Sequence, residues 1–327
     1  MATIKDVAER SGISIKTVSR VINGAQTVRP NIRAKVEQAI RALNYVPALA
    51  ARQLVTGRNF IIVLLVPDAA HWYYSRMVLA IAQACRSVGW HLVVEVFERA
   101  ALEEDEGWSI GLSCNADAVI VLPPWADHPR MLQSLAALGL PAVRVAGRSP
   151  GYGAVLDVHD RAISRQMVEH LIAQGHERIA MIAPPNDRVS SEERHLGYRD
   201  AMMAAGHRVP DAFVIRSNML FEGGVDAFRQ LMSLPVRPTA IFAVNDSSAL
   251  GAMTTALRLG YRVPRDIAFA GFDNSPESMS SYPSLSTVAQ SFDTIGRNAV
   301  LMAIGRTSDE EGIQSEIILR ESSLCSS

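Results

Sequence analysis

The run TIKDVAERSGISIKTVSRVING, Thr3 to Gly24, decides how the first part of this chain folds. Thr3 followed by Asp6 is a helix-start pattern, and Ile4, Val7 and Ala8 recur at helical spacing. Gly12 stops that helix. Ser14 can cap a second one, which turns Val18, Val21 and Ile22 inward. After a polar loop, Pro30-Asn31 starts a third helix with Val36, Ile40 and Leu43 on the core side. The apolar set is small but coherent, and it specifies an all-α unit over residues 1–46 with a helix-turn-helix at its centre.

A helix-turn-helix works by laying its second helix in the major groove of double-stranded DNA, with the first turns facing base edges. The residues expected to be exposed there are Ile15, Lys16 and Arg20. Arg20 can donate two bonds to a guanine, Lys16 can reach a guanine or a phosphate, and Ile15 can touch a thymine methyl. Thr17, Ser19, Asn23, Asn31 and Arg33 suit phosphate contacts, which position a protein without reading sequence. On spacing alone, a solvated basic face on an ordinary helical hairpin remains the alternative.

Charge agrees with a polyanion partner at one end. Of the chain's 32 Lys and Arg, ten fall in residues 1–58, against three of its 33 Asp and Glu, so a basic segment precedes an acidic body. Charge by itself does not separate DNA from RNA or a membrane surface. The three cysteines, Cys85, Cys114 and Cys325, are far apart and lack C-x-x-C spacing, which fits a reducing compartment. The polar N-terminus MATIKDVAER has no signal-peptide run, and IIVLLV (Ile61 to Val66) is far short of a membrane span. A cytoplasmic protein with no membrane association is expected.

Residues 47–58 (PALAARQLVTGR) are Ala-rich and helix-prone, but so short that an isolated helix is marginal in water. They form a linker, or a helix that orders when something packs on it. From Asn59 onward, strand and helix signals alternate. Strand-like runs are Ile61 to Val66, His91 to Phe97, Ala118 to Leu122, Ala142 to Ala146, Arg178 to Ala183, Ala240 to Val244 and Ile267 to Phe272. Between many of them lie helical stretches ending at Gly89, Gly139, Gly175, Gly206 and Gly260. Continuous apolar strands separated by helices mean parallel sheets covered on both faces, so residues 59–327 are α/β. About 270 residues exceed one ordinary sheet. Two lobes are expected, lobe 1 over about 59–158 and 290–318, lobe 2 over about 159–289 and 319–327.

In such sheets ligands collect beyond the carboxyl ends of the strands. Asn245-Asp246, Asp273-Asn274, the Ser190/Arg194 pair and Gln290-Ser291-Phe292 all fall there. Asp, Asn and Arg together suit vicinal hydroxyls, each of which both donates and accepts. Either Asn245 or Asp273 alone could instead cap a turn or helix, and Asp246 is assigned to capping. Glu103 to Glu106 is a solvated acidic run. His159-Asp160 and His176-Glu177 are read as turn residues, with no metal-site spacing. No cofactor or catalytic motif is read: G-x-x-x-x-G-K-[ST], G-x-S-x-G and H-E-x-x-H are absent, although paired carboxylates stay open.

The string Thr3 to Gly24, followed by RAKVEQAIRALNYVPALAARQL, closely resembles the N-terminus of the lactose-repressor (LacI) family, and the resemblance extends over essentially the whole chain. It implies base reading by Ile15, Lys16 and Arg20. It also implies a hinge helix over residues 48–56 that folds in the minor groove, with Leu54 wedged between base pairs. The body resembles periplasmic sugar-binding proteins, which hold ligand between two lobes. Arg194, Asn245 and Asp273 match sugar-binding positions within RHLGY, VNDSSALG and GFDN; Ser190, Gln290 and Phe292 match less sharply. Trp72, Tyr73 and Tyr74 match a stretch that supplies aromatic contacts. An acid usual in the family near Ala146 is missing here, where Arg144, Gly147 and Arg148 stand, leaving room for an acidic or larger sugar.

The implied protein is a homodimeric regulator in which two recognition helices face two half-sites of a near-palindromic operator. A mono- or oligosaccharide effector would alter lobe closure and hence hinge ordering. The chain ends without a leucine heptad, so dimers rather than tetramers are expected. The competing readings are a solute receptor without a DNA role and a sugar-acting enzyme with a DNA-binding appendage.

Overall fold

The computed structural model describes residues 2–22, 25, 27–45, 53, 56–68, 71–98, 102, 108–148, 150–185, 189–310 and 312–324, with backbone alone for Val189 and Ser190. The chain forms two compact units, Met1–Ile61 with Asn115–Asp117, and Ile62–Cys114 with Ala118–Ser327.

In the first unit α1 (Ile4–Ser11), α2 (Ile15–Ile22) and α3 (Pro30–Ala42) close one small core. The Thr3 hydroxyl accepts from the Asp6 N–H at 3.4 Å, and the Asp6 carboxylate accepts from the Thr3 N–H at 2.7 Å, a reciprocal cap at the start of α1. Gly12, at φ 67°, turns the chain out of α1 in the left-handed region. The Ser14 hydroxyl then accepts from the Thr17 N–H at the start of α2. Val7, Val18 and Val36, one from each helix, are completely buried together with Val21 and Ala39. Asn23, most of the hinge segment 47–58 including Leu54, the run Glu103 to Glu106 and Cys325 lie outside the described residues.

Among its described residues the second unit has two larger sheets and one two-stranded antiparallel pair. In the first lobe β1 (Ile61–Pro67), β2 (His91–Phe97), β3 (Ala118–Val121), β4 (Ala142–Val145) and β5 (Ala154–Leu156) lie in the order β2-β1-β3-β4-β5. The β1–β3, β3–β4 and β4–β5 pairings are parallel. The α-helices of this lobe include α4 (Trp72–Val88), α5 (Pro129–Leu138) and a late returning helix, Phe292–Ala303, which packs against α4 and the sheet.

In the second lobe β6 (Ile179–Ala183), β7 (Val214–Arg216), β8 (Ala240–Ala243) and β9 (Ala268–Ala270) form an all-parallel sheet in the order β7-β6-β8-β9. Its helices are α6 (Asp160–Ala173), α7 (Val189–Ala204), α8 (Phe221–Met232), α9 (Asp246–Arg258) and the short α10 (Pro276–Ser280); the returning helix is therefore α11. Alternate residues of β6 serve opposite layers. Ile179, Met181 and Ala183 join Met167, Leu171 and Tyr198 of α6 and α7, while Ala180 and Ile182 join Phe228, Ala252 and Met253 of α8 and α9. With both faces covered, every position of β6, β8 and β9 is apolar, so these three strands read as unbroken runs without alternation.

A final pair, β10 (Thr287–Ala289) and β11 (Glu316–Ile318), is antiparallel. Ile317 packs against the α6/α7 layer alongside Val288. Residues 316–318 therefore belong with the second lobe, whereas the sequence reading put the return after residue 318. The reason is the ladder: Val288 pairs with Ile317, which carries β11 into the core that Val288 occupies.

Helices α8 and α9 touch through two glycines. A Cβ on Gly251 would overlap the Phe221 carbonyl oxygen, and one on Gly224 the Ser248 carbonyl oxygen. Gly251→Ala is therefore expected to destabilise the protein by about 1–3 kcal/mol through overpacking. Urea unfolding measures this, and an unchanged midpoint would mean that the two helices separate without cost.

Candidate functional site

A cavity of about 410 Å³ lies between the lobes of the second unit, of the size that small-molecule sites have. The first lobe supplies Asp68, His71, Tyr73, Tyr74, Pro123 and Ala146; the second supplies Asp160, Ser191, Arg194, Asp273 and the segment Asn218 to Leu220, with Gln290 at the crossover. These residues follow strand ends: Asp68 after β1, Pro123 after β3, Ala146 after β4, Asp273 after β9. Ala146, Met219 and Asp273 have φ of 52°, 67° and 107°, a region that side chains other than glycine seldom adopt. Such strain gathers where tertiary structure imposes a site. Around Asp273 the imposing contacts are its own N–H to the Val288 carbonyl at 2.9 Å, and Arg320 to the Asn274 side chain at 2.7 Å.

Arg194 is the centre of the polar floor. Its Nε donates to Asp160 at 2.8 Å, its Nη1 donates to the Val244 carbonyl at 2.7 Å, and Nη1 lies 3.6 Å from Asp273. The guanidinium stacks 3.6 Å from the Phe272 ring centroid, a cation–π contact that fixes its plane. Gln290 Nε2 donates to Asp273 at 2.7 Å. Burial pushes the Asp273 carboxyl up to about 8 against the pull of Arg194, and Asp246 and Asp160 add to the rise. Burial also raises Asp160, although Arg194 works against it.

Tyr73, Tyr74, Arg194, Asp273 and Gln290 were expected at the site and line it. Others sit differently. Trp72 and Phe292 pack edge-to-face at 5.3 Å, and Tyr73 lies 5.8 Å from Phe292, so this pair backs the tyrosine rather than lining the cavity. Asn245 is fully buried. Its oxygen accepts from the Ser248 N–H as the cap of α9, and its amide nitrogen donates to the Met219 carbonyl at 2.8 Å and lies 2.9 Å from His71 Nε2. It thus caps a helix and bridges the lobes. Asp246 accepts from the Ser275 N–H and the Thr287 hydroxyl, a crosslink to later segments rather than a simple cap. The Ser190 side chain lies outside the described residues; Ser191, three residues before Arg194 and on the same helix face, lines the cavity instead.

Asp160 corrects the sequence reading most. It was read as a turn residue; it is the first residue of α6, is 5% exposed, and is the closest charged partner of Arg194. Arg144 is corrected as well. It is completely buried, donates to Asp127 at 2.7 Å, and has Gly151 packed against its guanidinium, so it faces away from the cavity. Arg148 pairs with Glu193 outside the cavity, an ion pair that links the lobes. Neither arginine adds positive charge to the cavity lining. His71 was missed; its Nδ1 accepts from the Tyr73 N–H at 3.3 Å, and a helix-start reading of HWYY could have found it.

On the first unit, Ile15, Lys16 and Arg20 are exposed on α2, with Ile15 at 46%. Asn31 is exposed at the start of α3, where its oxygen accepts from the Ile32 N–H. Thr17 shares a bond with Ser14, and Ser19 is half-buried. Arg33 donates to the Ala25 carbonyl at 2.7 Å, holding the loop between α2 and α3. Among the described residues no cluster could hold a metal ion, and no helix is long and apolar enough to cross a membrane.

Comparison with known proteins places these features in a family. Residues 3–48 match the model of bacterial regulatory proteins of the lacI family, and residues 168–325 match a periplasmic binding protein-like domain. The chain is 33% identical to the ribose operon repressor of Escherichia coli (strain K12), over 98% of this chain and 99% of that one. It is 32% identical to the HTH-type transcriptional regulator CelR of Thermobifida fusca, over 98% of each. Among solved structures, a CelR–cellobiose complex superposes with a TM-score of 0.69 at 28% identity, covering 98% of this chain and 100% of that one. The lac repressor dimer bound to operator and an anti-inducer gives 0.71 at 27%, covering 99% of each. The chain belongs to the LacI family, and it is a DNA-binding transcriptional repressor under effector control rather than an enzyme.

Proposed function

We propose that the effector is a mono- or oligosaccharide held in the interlobe cavity, and that a homodimer of this chain binds a near-palindromic operator in double-stranded DNA. The observation that carries the sugar reading is the Asp160–Arg194–Asp273 floor beneath Tyr73 and Tyr74. Charged groups strengthen hydrogen bonds to hydroxyls, and a ring offers a flat face to a sugar. Relatives named for ribose and solved with cellobiose support the same class. A relative solved as an operator-bound dimer supports the two-fold assembly, and so do Met279 and Tyr282, exposed at 68% and 86%. Tyr73, Tyr74, Arg194, Asp273 and Gln290 contact the ligand in this reading. Trp72 and Phe292 support it from behind, and Asn245 senses the approach of the lobes.

Base reading is assigned to Ile15, Lys16 and Arg20, backbone positioning to Thr17, Ser19, Asn23 and Asn31, and the minor-groove wedge to Leu54. Arg33 positions the loop that precedes α3. Sugar occupancy stabilises one lobe closure, which favours or disfavours hinge folding by a coupling on the order of 1–3 kcal/mol. Operator affinity measured by fluorescence anisotropy against a panel of mono- and disaccharides tests this. A sugar that raises the melting temperature and shifts operator affinity is the expected result, and a panel with no binder would end the reading. Arg20→Ala is expected to cost about 1–3 kcal/mol and to relax discrimination at one base pair. Equal weakening on every duplex, measured against operator variants, would instead make Arg20 a phosphate contact.

A further inference from the structure

His71 and Asn245 meet where the two lobes approach, and the hydrogens they carry do not match the contacts they make. His71 precedes α4 in the first lobe, and its Nδ1 accepts from the Tyr73 N–H at 3.3 Å as the cap of that helix. Its Nε2 lies 2.9 Å from the Asn245 amide nitrogen. The orientation of that amide is fixed from within the second lobe. Asn245 Oδ1 accepts from the Ser248 N–H at 3.1 Å, and Nδ2 donates one hydrogen to the Met219 carbonyl at 2.8 Å, which leaves the other hydrogen facing His71. Asn245 is fully buried, and a reversed amide would set donor against donor at Ser248 and acceptor against acceptor at Met219.

Both ring nitrogens of His71 are thus called on to accept. A neutral imidazole has one acceptor nitrogen, and an imidazolium has none. With the hydrogen on Nε2, the Tyr73 N–H keeps its acceptor and two donors face each other between the lobes. With the hydrogen on Nδ1, Asn245 gains an acceptor across the lobes and the start of α4 loses its cap. The two contacts exclude one another. Resting on the assignment of effector control to lobe closure, we propose that His71 is a tautomeric switch. Its Nε2–H form holds the start of α4 and resists closure; its Nδ1–H form bonds Asn245, holds the lobes together and releases the Tyr73 N–H. Interconversion leaves the charge unchanged, since one ring nitrogen gives a proton to solvent and the other takes one up. The released N–H belongs to the turn that carries Tyr73 and Tyr74 to the cavity, so closure and the aromatic wall change together. His71 is a positioning residue in this account.

The test is nuclear magnetic resonance of the full chain without ligand, its eight histidines labelled with nitrogen-15, at about pH 8, above the ordinary histidine range. A ring nitrogen resonates at one of two well-separated positions according to whether it bears hydrogen, and the spectrum of His71→Gln identifies the pair that belongs to His71. Neutral hydrogen bonds are close enough in strength that the minor tautomer should hold about a tenth of the molecules or more, so both nitrogens are expected between the two positions. Asn245→Ser keeps a hydroxyl that caps α9 but is too short to reach His71. In that variant His71 is expected to pass over to the Nε2–H form, and the Tyr73 amide to exchange with deuterium more slowly than in the wild type. A wild-type His71 held in one tautomer, or protonated on both nitrogens, overturns the switch, and so does a mixture that Asn245→Ser leaves unchanged. The wild-type spectrum decides should the variant fail to fold. Failure here leaves the sugar reading standing, because the operator-affinity panel tests that reading separately.

Discussion

Arg194→Met is expected to lower the stability of the protein by about 3–5 kcal/mol and to abolish the effector response. The size follows from what stays behind. Asp160 and Asp273 are each at most 5% exposed, and both depend on the same guanidinium for opposite charge. Methionine keeps much of the volume over the Phe272 ring but leaves two carboxylates facing one another in a low-dielectric floor, and the Val244 carbonyl loses its donor. Urea unfolding gives the stability change, and operator affinity with and without sugar gives the response. Arg161→Ala is the comparison. Arg161 makes two bonds to Asp200, at 2.6 and 3.0 Å, but its side chain is half exposed and solvent screens the pair, so the loss should be far smaller than for Arg194→Met. Equal losses in the two variants would show that burial contributes nothing to the Arg194 contacts.

Without effector, the protein is expected to lose stability as the pH rises from about 4 to about 8, by an amount on the order of a few kcal/mol. Burial raises the Asp273 carboxyl to about 8 and the Asp246 carboxyl to about 7, whereas both groups ionise near the ordinary carboxylate value once unfolded. Between those limits the folded chain holds protons that the unfolded chain has released. Raising the pH therefore favours unfolding, and the loss is complete once the folded groups have ionised. Asp266 acts in the opposite sense. Its bonds from Arg262 hold it down at about 2, so its contribution is present above the unfolded value and lost as the pH falls toward 2. Asp273→Asn removes the larger of these two upward shifts. Its melting temperature across pH 5, 7 and 9 should decline much less than that of the wild type, and parallel curves would locate the proton elsewhere.

Much of this was legible in the order of the residues. Thr3, Asp6, Gly12 and Ser14 mark helix ends through bonds that reach no further than three or four residues, so their meaning is local. The seven strand-like runs correspond to β1, β2, β3, β4, β6, β8 and β9; β1, β3, β6, β8 and β9 are apolar because both their faces are covered, whereas β2 is partly exposed and β4 holds the buried Arg144. The short strands β5, β7, β10 and β11 carry no such run. Each is only three residues long and owes its place to a neighbour already in the sheet.

Sequence alone determined the helix-turn-helix, the α/β layering, and the strand ends at which polar residues would gather. Local periodicity and capping act over a few residues, and burial on two faces writes itself into composition. Only the tertiary structure decided which polar residues share charge. Asp160 and Arg194 are 34 positions apart, and Asn245 and His71 are 174 apart. Arg144 and Arg194 look alike as letters, yet one is sealed under Gly151 and the other forms the floor of the cavity. Direction and distance in a folded core set that difference, and neither is encoded by spacing along the chain.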